Sequence, residues 1–272
     1  MERPAWAPQG IDISVPSVSR MYDFYLGGSH NFEVDREAAR KAMEFMPGLP
    51  KIMQANRAFM RRAVRYALDE GISQFLDIGS GIPTFGNVHE VAQGIAPEAR
   101  VAYVDHDPVA VAHSQAVLEG NSAAVIATAD LRRPQEIRDN PEISGLLDFD
   151  RPVALLLVAV LHFIEDSDEP HKAVAELRDI LAPGSLLIVT HASYEGIPLS
   201  REEAGGAVGV YKDIRNPLVM RSSEEIARFF DGYELVDPGV VPMPSWRPDT
   251  PAAQGGEDPY AFSGFAGVGR KA

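Results

Sequence analysis

The stretch "FLDIGSGIPTFGN", Phe75 to Asn87, runs from an apolar segment into a turn that holds Asp77, Gly79 and Gly81. Glycines in that place permit a tight strand-to-helix turn and let the backbone approach a ligand closely. An ordinary turn uses the same residues, so the loop alone selects no ligand. A second apolar run ends in "VAYVDHDP", which sets Asp105 twenty-four residues after Gly81. From there a carboxylate can accept two hydrogen bonds from a ribose diol. A third run is followed by "TADLRRP", where Asp130 has two readings: acceptor for an adenine amino group, or an N-cap or turn aspartate. Loop and acid in this order point to an adenosine-containing ligand.

The loop also bears on which ligand that is. A dinucleotide site needs glycine or alanine at the third fingerprint position, so that the helix packs close and turns its N-terminus to a pyrophosphate. Here "GSGIPT" offers Thr84, and Pro83 removes a backbone donor beside it. An adenosyl cofactor with an amino-acid tail and no phosphate needs no such cradle. S-adenosylmethionine is the candidate, with S-adenosylhomocysteine as its product.

These residues have to be positioned by strands and crossover helices. Short apolar runs ending in Asp or Gly alternate with stretches of helical spacing, the pattern of a parallel sheet in an α/β fold. The expected strands are Gln74 to Ile78, Arg100 to Asp105, Ala123 to Ala127, Pro152 to Val158, Ser185 to His191, Tyr233 to Asp237 and Tyr260 to Val268. "VALLLVAVL" is apolar on both faces, as a central parallel strand must be. Helices are expected over Pro108 to Glu119 and Pro170 to Leu181, and Gly71 is placed to cap "RRAVRYALDE". The last two strands are separated only by "PGVVPMPSWRPDTPAAQGGEDP", which argues for a long loop joining an antiparallel pair at one sheet edge. Residues 1–70 fall outside the alternation, with helical stretches at Asp35 to Met46 and Pro50 to Glu70. They are expected to cap a domain of residues 71–272 as one compact unit.

Composition excludes some partners. With 25 Lys and Arg against 39 Asp and Glu, the net charge is −14, a poor match to nucleic-acid phosphates. "RRAVR", Arg61 to Arg65, reads as the solvated face of a helix. The chain has no cysteine, and its seven histidines include no helical pair backed by Glu at zinc spacing, so no metal is expected. No apolar run suits a signal peptide or a membrane span, and a soluble, cytoplasmic protein is expected.

Taken in order, these motifs resemble the Rossmann-like S-adenosylmethionine-dependent methyltransferases. "FLDIGSGIP" is similar to that superfamily's first motif, "VDHDPVAVAHSQAVL" to its acidic second-strand motif, "TADL" to its adenine motif and "LLLVAVLHFI" to its fourth-strand motif. "ELRDILAPGSLLIVTHAS" is similar to the lead into its fifth strand, and "YAFSGFAGVGR" to its closing hairpin. A narrower match carries "SVPSVSRMYDFYLGGSHNFEVDREAA" and "NVHEVAQGIAPEARVAYVDHDP", which resemble the actinobacterial S-adenosyl methyltransferase family, formerly a domain of unknown function. The resemblance implies a seven-stranded, mostly parallel sheet with an antiparallel last strand, helices on both faces and an N-terminal helical cap. It also implies cofactor roles: Asp77, Gly79 and Gly81 at the amino-acid tail and sulfonium, Asp105 at the ribose, Asp130 at the adenine amino group. His106 lies against the adenine plane or faces solvent.

Methyl transfer is an in-line displacement, so the protein mainly aligns nucleophile, methyl and sulfur and excludes water. A base is required only when the acceptor is protonated. His162 in "VLHF" is the candidate to face the methyl group, with a hydrogen-bonded structural histidine as the other reading. In "RMYDFYLGGSHNF", Tyr22, Tyr25 and Asn31 are candidates to reach the cofactor or acceptor as part of a lid; otherwise this segment staples an N-terminal helix to the core. His191, Tyr194 and Glu195 are expected near the acceptor entrance, mostly as pocket wall, and Trp246 either joins the site or anchors its loop as an exposed residue. The expected partner is a small-molecule acceptor, neither nucleic acid nor membrane. Two alternatives stand beside this reading: a non-catalytic S-adenosylmethionine sensor, and an NAD(P)-dependent oxidoreductase, which the missing third glycine and the missing Tyr-x-x-x-Lys pair disfavour.

Overall fold

Strand β1 (Gln74–Ile78) is buried along its whole length, and its side chains alternate between the two cores of the molecule. Phe75 joins one core and Leu76 and Ile78 the other. The computed structural model describes residues 12–84, 86–195, 201–212, 217–249 and 264–272. The remaining strands are β2 (Arg100–Asp105), β3 (Ala124–Thr128), β4 (Ala154–Val158), β5 (Leu186–Ala192), β6 (Tyr233–Leu235), β7 (Val241–Pro242) and β8 (Gly264–Lys271). They form one sheet in the order β3-β2-β1-β4-β5-β8-β6, with β7 paired to β8.

The first five strands pair in parallel, and β8 runs antiparallel to β5, β6 and β7. Among the described residues the sheet thus has eight strands where seven were expected. The extra one, β7, has two residues and contains a proline, too short for any periodic signal. The antiparallel pair is also not wholly at the edge: β8 sits between β5 and β6, and β6 is the edge. The expected start of the last strand, 260–263, lies outside the described residues.

The helices are α1 (Val18–Tyr25), α2 (Glu33–Phe45), α3 (Leu49–Asp69), α4 (Val88–Ile95), α5 (Pro108–Val117), α6 (Pro134–Arg138), α7 (Pro141–Leu146), α8 (Pro170–Ile180), α9 (Arg201–Lys212) and α10 (Ser223–Ala227). One sheet face is covered by α3, which contributes Phe59, Met60, Ala63, Val64 and Ala67 against Phe75, Leu156 and Ile188. The other face packs on Ile137, Ile143, Val174 and Leu177 from α6, α7 and α8. Helix α3 ends as Gly71 enters the left-handed region at φ 80°, and the Ile72 amide donates back to Ala67 O at 2.9 Å. That is a Schellman cap, for which glycine pays no Cβ penalty.

The N-terminal helices are knit together by two buried carboxylates. Asp35 accepts from the backbone amides of Ser17 (2.9 Å) and Phe32 (2.7 Å) and from Arg20 Nε (2.8 Å), tying α1 to the start of α2. Asp23 accepts from the His30 amide (2.9 Å) and Asn31 Nδ2 (2.7 Å), which folds the "LGGSHN" turn under α1. Among the described residues, no helix is long and apolar enough to cross a membrane.

Candidate active site

The chain runs outward from β1 to β2 to β3 and then returns to β4 on the other side of β1, so the winding reverses between β1 and β4. In an open α/β sheet the crevice beyond the carboxyl ends at such a point is where ligands bind. A cavity of 230 Å³ lies there, lined by the ends of β1, β2 and β4, by residues 129–132 after β3, and by α1 and α3. The glycine turn after β1 forms its floor. Gly79 and Ser80 donate to Val104 O at 2.8 and 3.2 Å, folding the turn over the end of β2. Gly79 (φ 77°) also passes so close to the turn after β4 that a Cβ there would stand 2.5 Å from Val160 Cγ2. Gly81 (φ 68°) instead borders open space, which a ligand can fill.

Asp105 lies at the end of β2, with 4% of its surface exposed. Its carboxylate accepts from the Gly81 amide (2.7 Å) and the Asp107 amide (2.8 Å), so the acid itself shapes the glycine turn. Each oxygen uses one lone pair in this way and retains acceptor capacity toward the cavity. Burial pushes its pKa up, against the two backbone donors. Asp107 caps α5 and also accepts a hydrogen bond from the Ser17 hydroxyl, which docks the start of α1 at the cavity rim. His106 is largely exposed at the rim, with Nδ1 3.9 Å from Asp105. Asp130 lines the cavity, but Arg132 grips its carboxylate at 2.6 to 3.1 Å. Burial opposes its ionisation, and those bonds outweigh it to hold its pKa below the usual range.

Asp77 faces the same cavity from β1. Burial pushes its pKa up to about 7, partly offset by the Arg57 charge, and among the described residues no hydrogen-bond donor reaches its carboxylate. A desolvated acid of this kind is stabilised by a cationic ligand. Arg57 of α3 lines the cavity as well, donating to Gly86 O (3.1 Å) and Asn87 Oδ1 (3.2 Å). The Ser80 hydroxyl is buried in the glycine turn without a partner among the described residues. An acid for an ammonium, a guanidinium for a carboxylate, an acid for a ribose and an orphaned hydroxyl fit an adenosyl amino-acid cofactor.

The structure also explains why a pyrophosphate fits poorly. Helix α4 starts only at Val88, past Pro83, and Asn87 rather than the glycine turn precedes it. Asn87 donates its amide to Glu90 (2.7 Å) and accepts from the Thr84 amide (3.1 Å). The helix N-terminus is therefore closed by its own residues and set back from the glycines.

A second, mostly apolar cavity of 80 Å³ adjoins the first, and Val18, Tyr22, Asn56, Ala159 and Phe163 line both. A chain of hydrogen bonds runs through this junction. The Ala159 amide, at a residue held at φ 57°, donates to Thr190 Oγ1 (2.8 Å), which donates to Asn56 Oδ1 (2.7 Å), and Asn56 Nδ2 donates to the Tyr22 hydroxyl (2.8 Å). A non-glycine residue in the left-handed region stores strain, and such residues gather at functional sites.

His162 lines the second cavity, and its Nδ1 accepts from the Ala192 amide at 3.2 Å. The neutral ring must then carry its proton on Nε2, so His162 can donate a hydrogen bond but has no free lone pair to act as a base. Burial, with His191 and Arg221 nearby, holds its pKa well below the ordinary value. His191 is fixed in the opposite tautomer: Nδ1–H donates to Ala192 O (2.7 Å) and Nε2 accepts from Arg221 (2.8 Å). Burial pushes its pKa down to about 3. Arg221, itself buried, also donates to Leu161 O (3.2 Å) and Ile164 O (3.1 Å), pinning the turn that carries His162.

Tyr22 and Tyr25 both reach the cavities, and Tyr25 pairs its hydroxyl with Tyr211 of α9 at 3.0 Å. Asn31 does not: its amide donates to Asp23 and Gly28 O, and it lines neither cavity. Tyr194 is exposed, and neither it nor Glu195 lines the apolar cavity. Trp246 is no exposed anchor. It is fully buried, edge-on to Phe59 and Tyr66, and lies off both cavities. Arg62, expected on a solvated face, is buried and donates to Trp246 O (2.9 Å) and Met243 O (2.7 Å). Sequence reasoning missed Asn56, Arg57 and Arg221; the polar residues inside the otherwise apolar stripe of α3 were the available signal for the first two.

Comparison with known proteins bears on the family of the chain. A family model described as S-adenosyl methyltransferase matches residues 4–272. A protein of Thermobifida fusca YX, provisionally described as a methyltransferase, superposes with a TM-score of 0.92 at 41% identity, covering 98% of this chain and 99% of that one. A DUF574 family protein of Streptomyces avermitilis MA-4680 superposes with a TM-score of 0.90 at 38% identity, covering 96% and 100%. No curated protein matches the chain.

Proposed function

From the chain's membership of the S-adenosyl methyltransferase family, whose cofactor is S-adenosylmethionine, we propose that it transfers a methyl group from that cofactor to a small-molecule acceptor in the apolar cavity. One observation carries this reading: a polar cavity holding Asp77, Asp105 and Asp130 meets an apolar cavity at a wall that both share, formed by Tyr22, Asn56, Ala159 and Phe163. When bound, the cofactor supplies a methyl group made electrophilic by its sulfonium.

In this reading Asp105 accepts from the ribose hydroxyls, Asp130 from the adenine amino group, and Asp77 pairs with the ammonium of the tail. Arg57 takes the tail carboxylate, which a guanidinium can hold with two parallel bonds. Gly79 and Gly81 keep the backbone out of the ligand's way, and His106 covers the adenine from the solvent side. Asn56 and Thr190 hold Tyr22 at the junction, so donor and acceptor meet in a fixed line with water excluded. Residues 1–70 act as a cap whose α1 closes the site, supported by Val18, Ser19 and Tyr22 in the cavity wall. His162 orients the acceptor as a donor and does not serve as a base.

The test is a methyl-donor consumption screen over small-molecule acceptors, following S-adenosylhomocysteine and methylated product. Stoichiometric formation of both supports the reading. Tight cofactor binding with no S-adenosylhomocysteine formed against a broad acceptor panel would instead mark a sensor.

A further inference from the structure

Among the described residues lining the apolar cavity there is no Asp, Glu, Lys or Arg. Its walls are aliphatic and aromatic, with Met46, Met53, Met220 and Met243 among them. Methionine side chains adapt to irregular ligands. At 80 Å³ the cavity is smaller than the ~150 Å³ that holds a benzene ring in an engineered protein core. The acceptor's reacting end is therefore small, or it displaces methionines.

Among the described residues, no polar group in this wall is placed to take a proton. Asn56 and Thr190 are used in the chain that holds Tyr22. His191 has both ring nitrogens engaged, and the lone pair of His162 is taken by the Ala192 amide. Burial pushes the Tyr211 hydroxyl up to about 12 and raises Tyr25 further, so both stay protonated. What remains is donors: Nε2–H of His162, and the one O–H that the Tyr25–Tyr211 pair leaves over. These suit a carbonyl or ether oxygen elsewhere on the acceptor.

Resting on the methyl-transfer reading above, we propose that the acceptor is an uncharged, largely apolar amine, tertiary or heteroaromatic, whose nitrogen already carries a free lone pair. A charged acceptor would be desolvated in this cavity with no counter-charge among its described lining residues. A phenol or alcohol would need its proton removed, and the described residues of the wall include no group to remove it. An amine nitrogen needs neither. Its lone pair forms the new N–C bond as the S–C bond breaks, and the electron pair of that bond returns to sulfur. The positive charge passes from sulfonium to the methylated nitrogen, and no proton moves. Tyr22 and Phe163, which line both cavities, supply aromatic surface to that cation before and after transfer.

The experiment uses the full chain with four aromatic probes: pyridine, N,N-dimethylaniline, phenol and benzoate. Cofactor binding is first measured by calorimetry on the same preparation. Probe binding to protein loaded with S-adenosylhomocysteine and methyl transfer to each probe are then followed by mass spectrometry. The expected result is N-methylpyridinium or trimethylanilinium formed at least about tenfold faster than any phenol or benzoate product, a gap of about 1.4 kcal/mol. Met220→Trp and Leu218→Trp, at two separate positions in the apolar wall, should each abolish amine binding while leaving cofactor affinity unchanged. Preferred methylation of phenol or benzoate overturns the proposal. So does a cofactor-loaded protein that neither binds nor methylates the amines. Failure of the cofactor itself to bind would overturn the underlying methyltransferase reading instead.

Discussion

The side-chain amide of Asn56 donates to the hydroxyl of Tyr22 at 2.8 Å, while its oxygen accepts from Thr190 at 2.7 Å. One asparagine on α3 thereby joins the N-terminal helix α1 to strand β5 at the boundary between the two cavities. Asn56→Ala leaves the Thr190 and Tyr22 hydroxyls short of partners in a buried place. The expected cost is about 1–3 kcal/mol of stability by denaturant unfolding. Methyl transfer should fall more steeply than cofactor affinity, because the change loosens the junction more than the cofactor's contacts.

Asp105 shapes the glycine turn and in the proposed reading holds the ribose. Asp105→Ala should weaken binding of S-adenosylhomocysteine by roughly 1–3 kcal/mol, measured by calorimetry. His106→Ala, at an exposed neighbour on the solvent side of the adenine, should weaken it less. Equal losses in the two variants would mean that the ribose lies elsewhere.

Asp77 gives the site a pH dependence of defined sign. Its folded-state pKa is raised from 3.8 to about 7 by burial, so without ligand it contributes stability below pH 3.8 that is lost as pH rises through about 7. The three-unit shift corresponds to about 4 kcal/mol. Asp77→Asn should therefore be more stable than the parent at a pH above 7 and show a flatter pH profile, read by thermal unfolding. Pairing with the cofactor's ammonium requires the ionised acid. Cofactor affinity should rise with pH up to the pKa, level off above it, and lose that slope in Asp77→Asn.

Arg221 holds Leu161 O, Ile164 O and His191 Nε2 from a buried position. Arg221→Met should cost about 2–4 kcal/mol, since several buried acceptors lose their donor together. It should also leave His191 Nε2 without its donor while the Nδ1–H bond to Ala192 O persists, visible as a shifted Nε2 resonance in NMR.

The strands that carry the site were legible because a two-sided, buried parallel strand leaves an uninterrupted apolar run, and β1 to β5 each begin and end within two residues of expectation. The spacing of Gly81 and Asp105 was read as placing a ribose acceptor, and the structure shows that acid binding the Gly81 amide. What escaped were long polar side chains that turn inward. Arg62 and Arg221 each cap backbone carbonyls of segments distant in the chain, so local charge patterning read Arg62 as solvent-facing. Asn56 and Arg57 escaped for a related reason. Helix α3 lies outside the strand–helix alternation yet covers the sheet, and only the packed sheet brings those residues to the strand ends. Asn31 erred in the other direction, as its amide satisfies Asp23 instead of a ligand.

The central claim, a phosphate-free adenosyl cofactor held between Asp77 and Asp130, is tested most directly by calorimetric titration of the full chain with S-adenosylmethionine, S-adenosylhomocysteine and NAD. The account predicts one-to-one binding of the first two and none of NAD, because α4 begins past the glycine turn and its N-terminus is closed by Asn87 and Glu90. Tight binding of NAD with no binding of the two adenosyl ligands would contradict it.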